Sequence, residues 1–140
     1  GNLVQDIGKA DLVLLGVSRT SKTPTSIYLA NRGLKTLNIP LVNENSIPET
    51  LKRNPKLTCV VGLTTEPERL SAIRKNRMNT LKETENTSYT DIKKIEKEII
   101  EAKKTFVKYK WPIIDVTRKS VEETAASIIK IHEIFKNNDQ

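Results

Sequence analysis

The segment that most constrains the fold is an apolar strand, predicted over residues 11–15, which runs into a polar loop at Gly16. Lys22 and Thr23 follow that glycine by six and seven residues. This spacing matches the phosphate-binding P-loop pattern G-x-x-x-x-G-K-[ST], with Ser21 in place of the second glycine. A strand, a tight loop and a helix N-terminus in this order direct backbone N–H groups and the helix dipole at an anion. The segment therefore predicts a phosphate site.

Within this loop, Lys22 is expected to reach the outer phosphates, and the Thr23 hydroxyl is expected to hold a magnesium ion. The alternative is a plain turn, rich in Arg, Ser and Thr, between a strand and a helix. Pro24 favours a helix start, because proline costs nothing in a first turn. The helix is predicted over residues 22–32, with Gly33 in the C-terminal capping role.

The rest of the chain alternates strands with helices, which predicts an α/β fold: a P-loop kinase-like parallel sheet of about four strands with helices on both faces. Residues 1–10 are interpreted as a lead-in segment and residues 11–140 as a single nucleotide-binding domain. Further strands are predicted over 37–42, 58–63 and 113–116. Helices are predicted from a capping box at Thr65–Glu68 to 81, over 91–110, and after a second capping box at Ser120–Glu123. Residues 83–90 are predicted to form a loop.

Composition excludes several function classes. The 24 Lys and Arg against 17 Asp and Glu give a net charge of +7, which suits nucleic acid, an anionic membrane or a phosphorylated ligand. Aromatic residues make up only 4%, and the lysines of residues 93–104 alternate with glutamates, so we expect no nucleic-acid partner. No run of about 18 apolar residues and no signal peptide is seen, so we expect no membrane partner and a cytoplasmic location. The single cysteine, Cys59, is expected to be an inert core residue.

Two arginines in the helix after Thr65 fall on its apolar arc, which is formed by Leu70, Ile73, Met78 and Leu81. Arg74 and Arg77 lie inside that arc, so exposure on a solvated face does not explain them. Either their stems extend over the core edge, or their guanidinium groups enter a cleft and clamp phosphates. Arg69 lies off this arc and is the weaker candidate.

Two other titratable residues have both structural and functional interpretations. Asp115 ends an apolar strand, where ligands bind in parallel sheets, and it either contributes to magnesium binding or caps the following turn through Thr117 or Arg118. His132 lies on the apolar face of the last helix and is more simply a core histidine than a catalytic one. No residue pattern identifies a general base.

Three parts of the sequence together resemble one family: Ala10–Ala30 (ADLVLLGVSRTSKTPTSIYLA), Val61–Thr64 with Pro67–Leu70, and Ile114–Thr117 with Glu122–Ala125. It is the family of regulatory proteins of pyruvate, phosphate dikinase and of phosphoenolpyruvate synthase. The match spans nearly the whole chain, and GVSRTSKTP is highly specific. Ser21 is the family's own residue at that position. Family members are about twice as long, so this chain resembles their C-terminal half, and a family N-terminal half is absent.

The resemblance implies a bifunctional serine/threonine phosphotransferase that uses ADP as donor. It would phosphorylate a threonine of the dikinase and inactivate it. The reverse activity would be a phosphorylase, in which inorganic phosphate removes the phosphoryl group and pyrophosphate leaves. The protein substrate would be either the dikinase or the synthase. Catalysis would rest on Lys22, Arg74 and Arg77, and magnesium would bind at Thr23. The ADP site would be the loop itself: Gly16, Val17, Ser18, Arg19, Thr20, Ser21, Lys22 and Thr23.

Two other functions remain open on the sequence. One is a small-molecule kinase, which rests on fold logic alone. The other is a truncated module that binds nucleotide without catalysis.

Overall fold

The computed structural model describes Ile7 and residues 9–17, 20–81 and 91–138; for residues 77–81 and 138 it describes the backbone alone. Within these ranges, four strands alternate with helices, as the sequence predicts. The strands are β1 (Leu12–Gly16), β2 (Thr36–Pro40), β3 (Cys59–Thr64) and β4 (Ile113–Asp115). The helices are α1 (Lys22–Ala30), α2 (Glu49–Arg53), α3 (Pro67–Leu81), α4 (Ile92–Lys108) and α5 (Val121–Asn138), with a short 3-10 helix at Glu44–Ser46.

The four strands form one parallel sheet in the order β2-β1-β3-β4. β1 and β3 are the central strands, and every residue of both is buried. Their continuous apolar runs fit strands that are covered on both faces. Because all strands are parallel, their carboxyl ends meet at one edge of the sheet, where β1 passes into the loop at Gly16.

Two apolar clusters cover the two faces of the sheet. On one face, α1 packs with α5 around Leu29, Ala125 and Ile128. On the other, α4 covers the sheet and α3 packs against α4. The apolar residues of α4 recur at helical spacing: Ile95, Ile99, Ala102 and Phe106 are buried, whereas Ile92, at the start of the helix, is exposed.

A close contact between α4 and the sheet sets their spacing. The Phe106 ring lies against Gly62 of β3 so closely that a Cβ at position 62 would be 2.5 Å from it. Any side chain at position 62 would therefore push α4 away from the sheet. Ile7, in the lead-in segment, is buried in the same apolar cluster as Phe106.

Element boundaries differ slightly from the predictions. β2 ends at Pro40, two residues before the predicted end. α1 ends at Ala30 rather than residue 32, and Gly33 adopts a positive φ of 85°, which fits its predicted capping role. Among the described residues, no helix combines the length and apolar content that crossing a membrane requires.

The two predicted capping boxes have different outcomes. Ser120 and Glu123 exchange the expected hydrogen bonds, at 3.1 and 3.3 Å, before α5. α3 instead begins at Pro67, one residue later than the Thr65–Glu68 box predicts. The Thr65 hydroxyl lies 3.1 Å from the Thr117 hydroxyl, which links α3 to the end of β4.

Candidate phosphate-binding site

The loop between β1 and α1 turns back on itself immediately after Gly16. A Cβ at position 16 would lie 2.6 Å from the Thr20 hydroxyl oxygen and 3.1 Å from the Leu63 carbonyl oxygen. The Thr20 hydroxyl donates to the Val17 carbonyl at 2.9 Å and is itself buried. Gly16 is therefore required by close approach within the turn. Ser18 and Arg19, also predicted to bind ADP, lie outside the described residues.

Lys22 lies at the centre of this loop and not on its surface. Its side-chain nitrogen donates to the Val17 carbonyl at 2.8 Å and to the Thr20 hydroxyl at 3.2 Å, and the residue is only 9% exposed. Desolvating an ammonium group is costly unless it is hydrogen-bonded, and these contacts meet that need. The loop therefore holds a positive charge at the N-terminus of α1, where the helix dipole adds to it.

The left-handed conformation of Ser21 explains why P-loop patterns have glycine at this position. Ser21 has φ 62° and ψ 26°, a region that glycine occupies without steric cost. Its side chain makes no capping hydrogen bond to α1. Ser21 therefore shapes the turn through its backbone. Thr23, the predicted magnesium ligand, is exposed in the first turn of α1.

Arg74 is almost completely buried between α3 and α4, at 1% exposure. Its Nη1 lies 2.8 Å from Oε2 of Glu98 on α4, whose side chain is 43% exposed. Placement of Arg74 on the inner arc of its helix is thus confirmed, and its guanidinium is held by a carboxylate. Its predicted role as a phosphate clamp stays a prediction. Arg77 lies on α3 as predicted, and its side chain is outside the described part of the structure.

Sequence reasoning did not identify Glu98. A signal was present, since Glu98 adjoins Ile99 and follows Ile95 by three positions, at the border of the apolar stripe of α4. A carboxylate at such a border is well placed to pair with a buried cation from a neighbouring helix.

Asp115 caps the turn after β4, which confirms the structural interpretation. Its Oδ1 accepts a hydrogen bond from the Thr117 amide at 2.9 Å and another from the Thr117 hydroxyl. Burial raises the pKa of Asp115, but these two bonds and nearby Lys103 and Lys119 outweigh that effect and leave the pKa lowered. Within the described residues, no group of three or more His, Cys, Asp or Glu could hold a metal ion.

The two remaining candidates are Cys59 and His132. Cys59 is buried in β3, and burial raises the pKa of its thiol to about 11, which fits an inert core residue. His132 is half-buried on α5 rather than fully enclosed in the core.

Comparison with known proteins identifies the family. The model of the kinase/pyrophosphorylase family matches residues 1–129. This chain belongs to that family. It is 84% identical over 138 residues to a protein of Pelagibacter ubique (strain HTCC1062), covering 99% of this chain and 50% of the relative. It is also 56% identical over 128 residues to a protein of Maricaulis maris (strain MCS10), covering 90% of this chain and 45% of the relative.

Both relatives carry the provisional name pyruvate, phosphate dikinase regulatory protein. The chain spans about half the length of the curated relatives it matches. The family match confirms the resemblance inferred from GVSRTSKTP and the other segments.

Proposed function

We propose that this chain is the nucleotide-binding part of an enzyme that transfers the β-phosphoryl group of ADP to a threonine of pyruvate, phosphate dikinase. Transfer would inactivate the dikinase. The same site would remove the group with inorganic phosphate and form pyrophosphate. The relatives' names favour the dikinase over phosphoenolpyruvate synthase as protein substrate, and an enzyme acting on it would work in the cytoplasm.

The observation that carries the proposal is the buried, hydrogen-bonded Lys22 inside the turn from Gly16 to Thr23. The Lys22 cation is held at the start of α1, where the positive end of the helix dipole also lies, and together they favour a phosphate anion there. The left-handed Ser21 lets the chain turn sharply enough to bring these groups together.

Both directions of the reaction move one phosphoryl group between oxygens above this loop. In the forward direction, the threonine oxygen attacks the β-phosphorus of ADP and loses its proton to a base. The bond from that phosphorus to the oxygen bridging to the α-phosphate breaks, and AMP leaves. In reverse, an oxygen of inorganic phosphate attacks the phosphothreonine phosphorus, the bond to the threonine oxygen breaks, and pyrophosphate leaves. The threonine oxygen recovers a proton.

Such a reaction depends mainly on positioning and charge neutralisation. Lys22 would neutralise charge on the transferred phosphoryl group. Arg74 would leave its partner Glu98 and bind the same phosphoryl group, and Arg77 would assist it. The exposed hydroxyl of Thr23 is a hard oxygen ligand at the start of α1, which fits magnesium. Magnesium would add charge neutralisation on the phosphate oxygens.

A second candidate is a module that binds ADP without transferring its phosphoryl group. The observation that favours it is the turn around Lys22, which explains how a phosphate is bound but does not by itself explain transfer. A small-molecule P-loop kinase has only the fold in its support.

The test uses ADP radiolabelled on its β-phosphate, purified dikinase, this chain and its Lys22→Ala variant, with the full-length Pelagibacter ubique relative as positive control. We expect label on a dikinase threonine, AMP in equal amount, and loss of both with the variant. ADP binding without transfer, while the relative is active, would establish the module instead. Label on a metabolite in the absence of dikinase would establish the small-molecule kinase.

A further inference from the structure

A surface trough lies beside the phosphate-binding loop, between the turn that follows β2 and the outer side of α4. It has a volume of about 500 Å³. Val42 and Asn43 form one wall, and Lys97, Glu98 and Glu101 form the other.

The trough is connected to the loop through the backbone. The Leu41 amide donates to the carbonyl of Gly16, the last residue of β1, at 2.9 Å. Leu41 itself lines the trough, so the trough is directly bonded to the start of the loop. Val17, the next residue of the loop, lies in the same core cluster as Leu41 and Ile99. The trough is thus at the carboxyl edge of the sheet, where ligands bind in parallel folds.

The wall formed by the turn is rigid and presents an apolar side chain to solvent. The Val42 amide donates to the Ser46 hydroxyl at 3.1 Å, and the Asn45 amide donates to Oδ1 of Asn43 at 2.8 Å. The Val42 residue is nevertheless 80% exposed. Val42 therefore offers an apolar contact on the wall of the trough, beside the polar residues of the same turn.

The opposite wall carries charge and reaches the predicted phosphate clamp. Lys97, Glu98 and Glu101 are all exposed. Glu98 holds the buried Arg74 at 2.8 Å, so a molecule in the trough would contact the carboxylate that positions the predicted phosphate clamp.

The trough is open to solvent along its length, which favours a segment of a polymer over a small molecule. Small-molecule sites bury about 70–90% of their ligand, whereas this trough is bounded on both sides by exposed side chains. A polymer segment needs an open channel, because its two ends must leave the site.

We propose that this trough binds the threonine-bearing segment of the protein substrate in an extended conformation. Val42 would contact an apolar residue of the segment. The lysines and glutamates that line the trough, Lys97 among them, would pair with its charged and polar groups. The assignment rests on the proposed function, since it supplies the acceptor for that transfer.

The test measures two dissociation constants: that of dikinase, by biolayer interferometry, and that of ADP with magnesium, by calorimetry. Val42→Asp and Lys97→Glu are compared with matched controls at positions of α4 that do not line the trough. Val107→Asp is the control for the first, because Val107 is 68% exposed. Lys93→Glu is the control for the second, because Lys93 is exposed on the same helix as Lys97 and does not line the trough.

We expect each trough variant to weaken dikinase binding about tenfold or more, with the ADP dissociation constant unchanged within about twofold. Both controls should bind dikinase like the unmodified chain. Equal dikinase affinity across all four variants, equal weakening by controls and trough variants, or no dikinase binding by the unmodified chain would overturn the inference. Dikinase binding that follows the trough while ADP fails to bind would uphold the docking site and overturn the proposed ADP chemistry.

Discussion

Replacing Gly16 by alanine is expected to destabilise the phosphate-binding turn. The added Cβ would lie 2.6 Å from the Thr20 hydroxyl oxygen, so that hydroxyl must rotate away and lose its 2.9 Å bond to the Val17 carbonyl. Losing such a bond costs about 1 kcal/mol. The Leu63 carbonyl, 3.1 Å away, is backbone and yields only with strain, which adds about 1–3 kcal/mol.

The reduced freedom of the unfolded chain returns about 0.4–1 kcal/mol. The net loss is therefore about 2 kcal/mol in the free energy of unfolding, or roughly 6–10 °C in Tm for a chain of this size. Urea denaturation and a thermal scan measure these two quantities.

A double-mutant cycle tests the cause of this loss. Thr20→Ala removes the oxygen that the new Cβ would strike, so Gly16→Ala should cost about 1 kcal/mol less in that background. Thr20→Ser keeps a hydroxyl and should leave the cost of Gly16→Ala unchanged. An equal cost of Gly16→Ala in the unmodified and Thr20→Ala backgrounds would refute the reasoning.

Three further predictions concern single positions. Ser21→Gly should raise the free energy of unfolding by up to about 1 kcal/mol, because Ser21 is left-handed, and Ser21→Val should lower it; denaturant midpoints that move the other way would contradict the assigned turn. Glu98→Ala should cost about 1–3 kcal/mol by depriving a buried arginine of its carboxylate. Glu101→Ala, in an exposed ion pair, should cost no more than about 0.5 kcal/mol, and similar losses for both would count against burial as the cause. Hydrogen bonding from Lys108 lowers the pKa of Glu44 below its ordinary 4.5, so its stabilising effect is present above that pH and is lost as the pH falls through the lowered pKa. Glu44→Gln should flatten the pH dependence of unfolding in that acidic range, and an unchanged urea-midpoint profile would contradict this.

The parts of the fold that the sequence predicts are those decided by local pattern. β1 and β3 are continuous apolar runs buried on both faces, and the stripe of α4 follows the helical period. The spacing from Gly16 to Lys22 likewise constrains the turn. The left-handed conformation of Ser21 was not predicted, although the pattern has glycine at that position.

Features that depend on packing between distant elements were not predictable. Arg74 and Glu98 lie on different helices and are 24 residues apart in sequence, and no spacing rule links them. Thr65 was predicted to cap α3, yet its hydroxyl pairs with that of Thr117, because parallel β3 and β4 end side by side. The trough beside Val42 arises in the same way, from the packing of α4 near the end of β2.

The central claim, that residues 16–23 grip a diphosphate, is tested most directly by the thermal stability of this chain with ADP and magnesium. We predict that millimolar ADP raises the Tm of the unmodified chain by several degrees, as expected when a ligand binds only the folded state. Lys22→Ala should remove that increase, while Lys104→Ala should retain it. No increase for the unmodified chain, or an equal increase with Lys22→Ala, would contradict the claim.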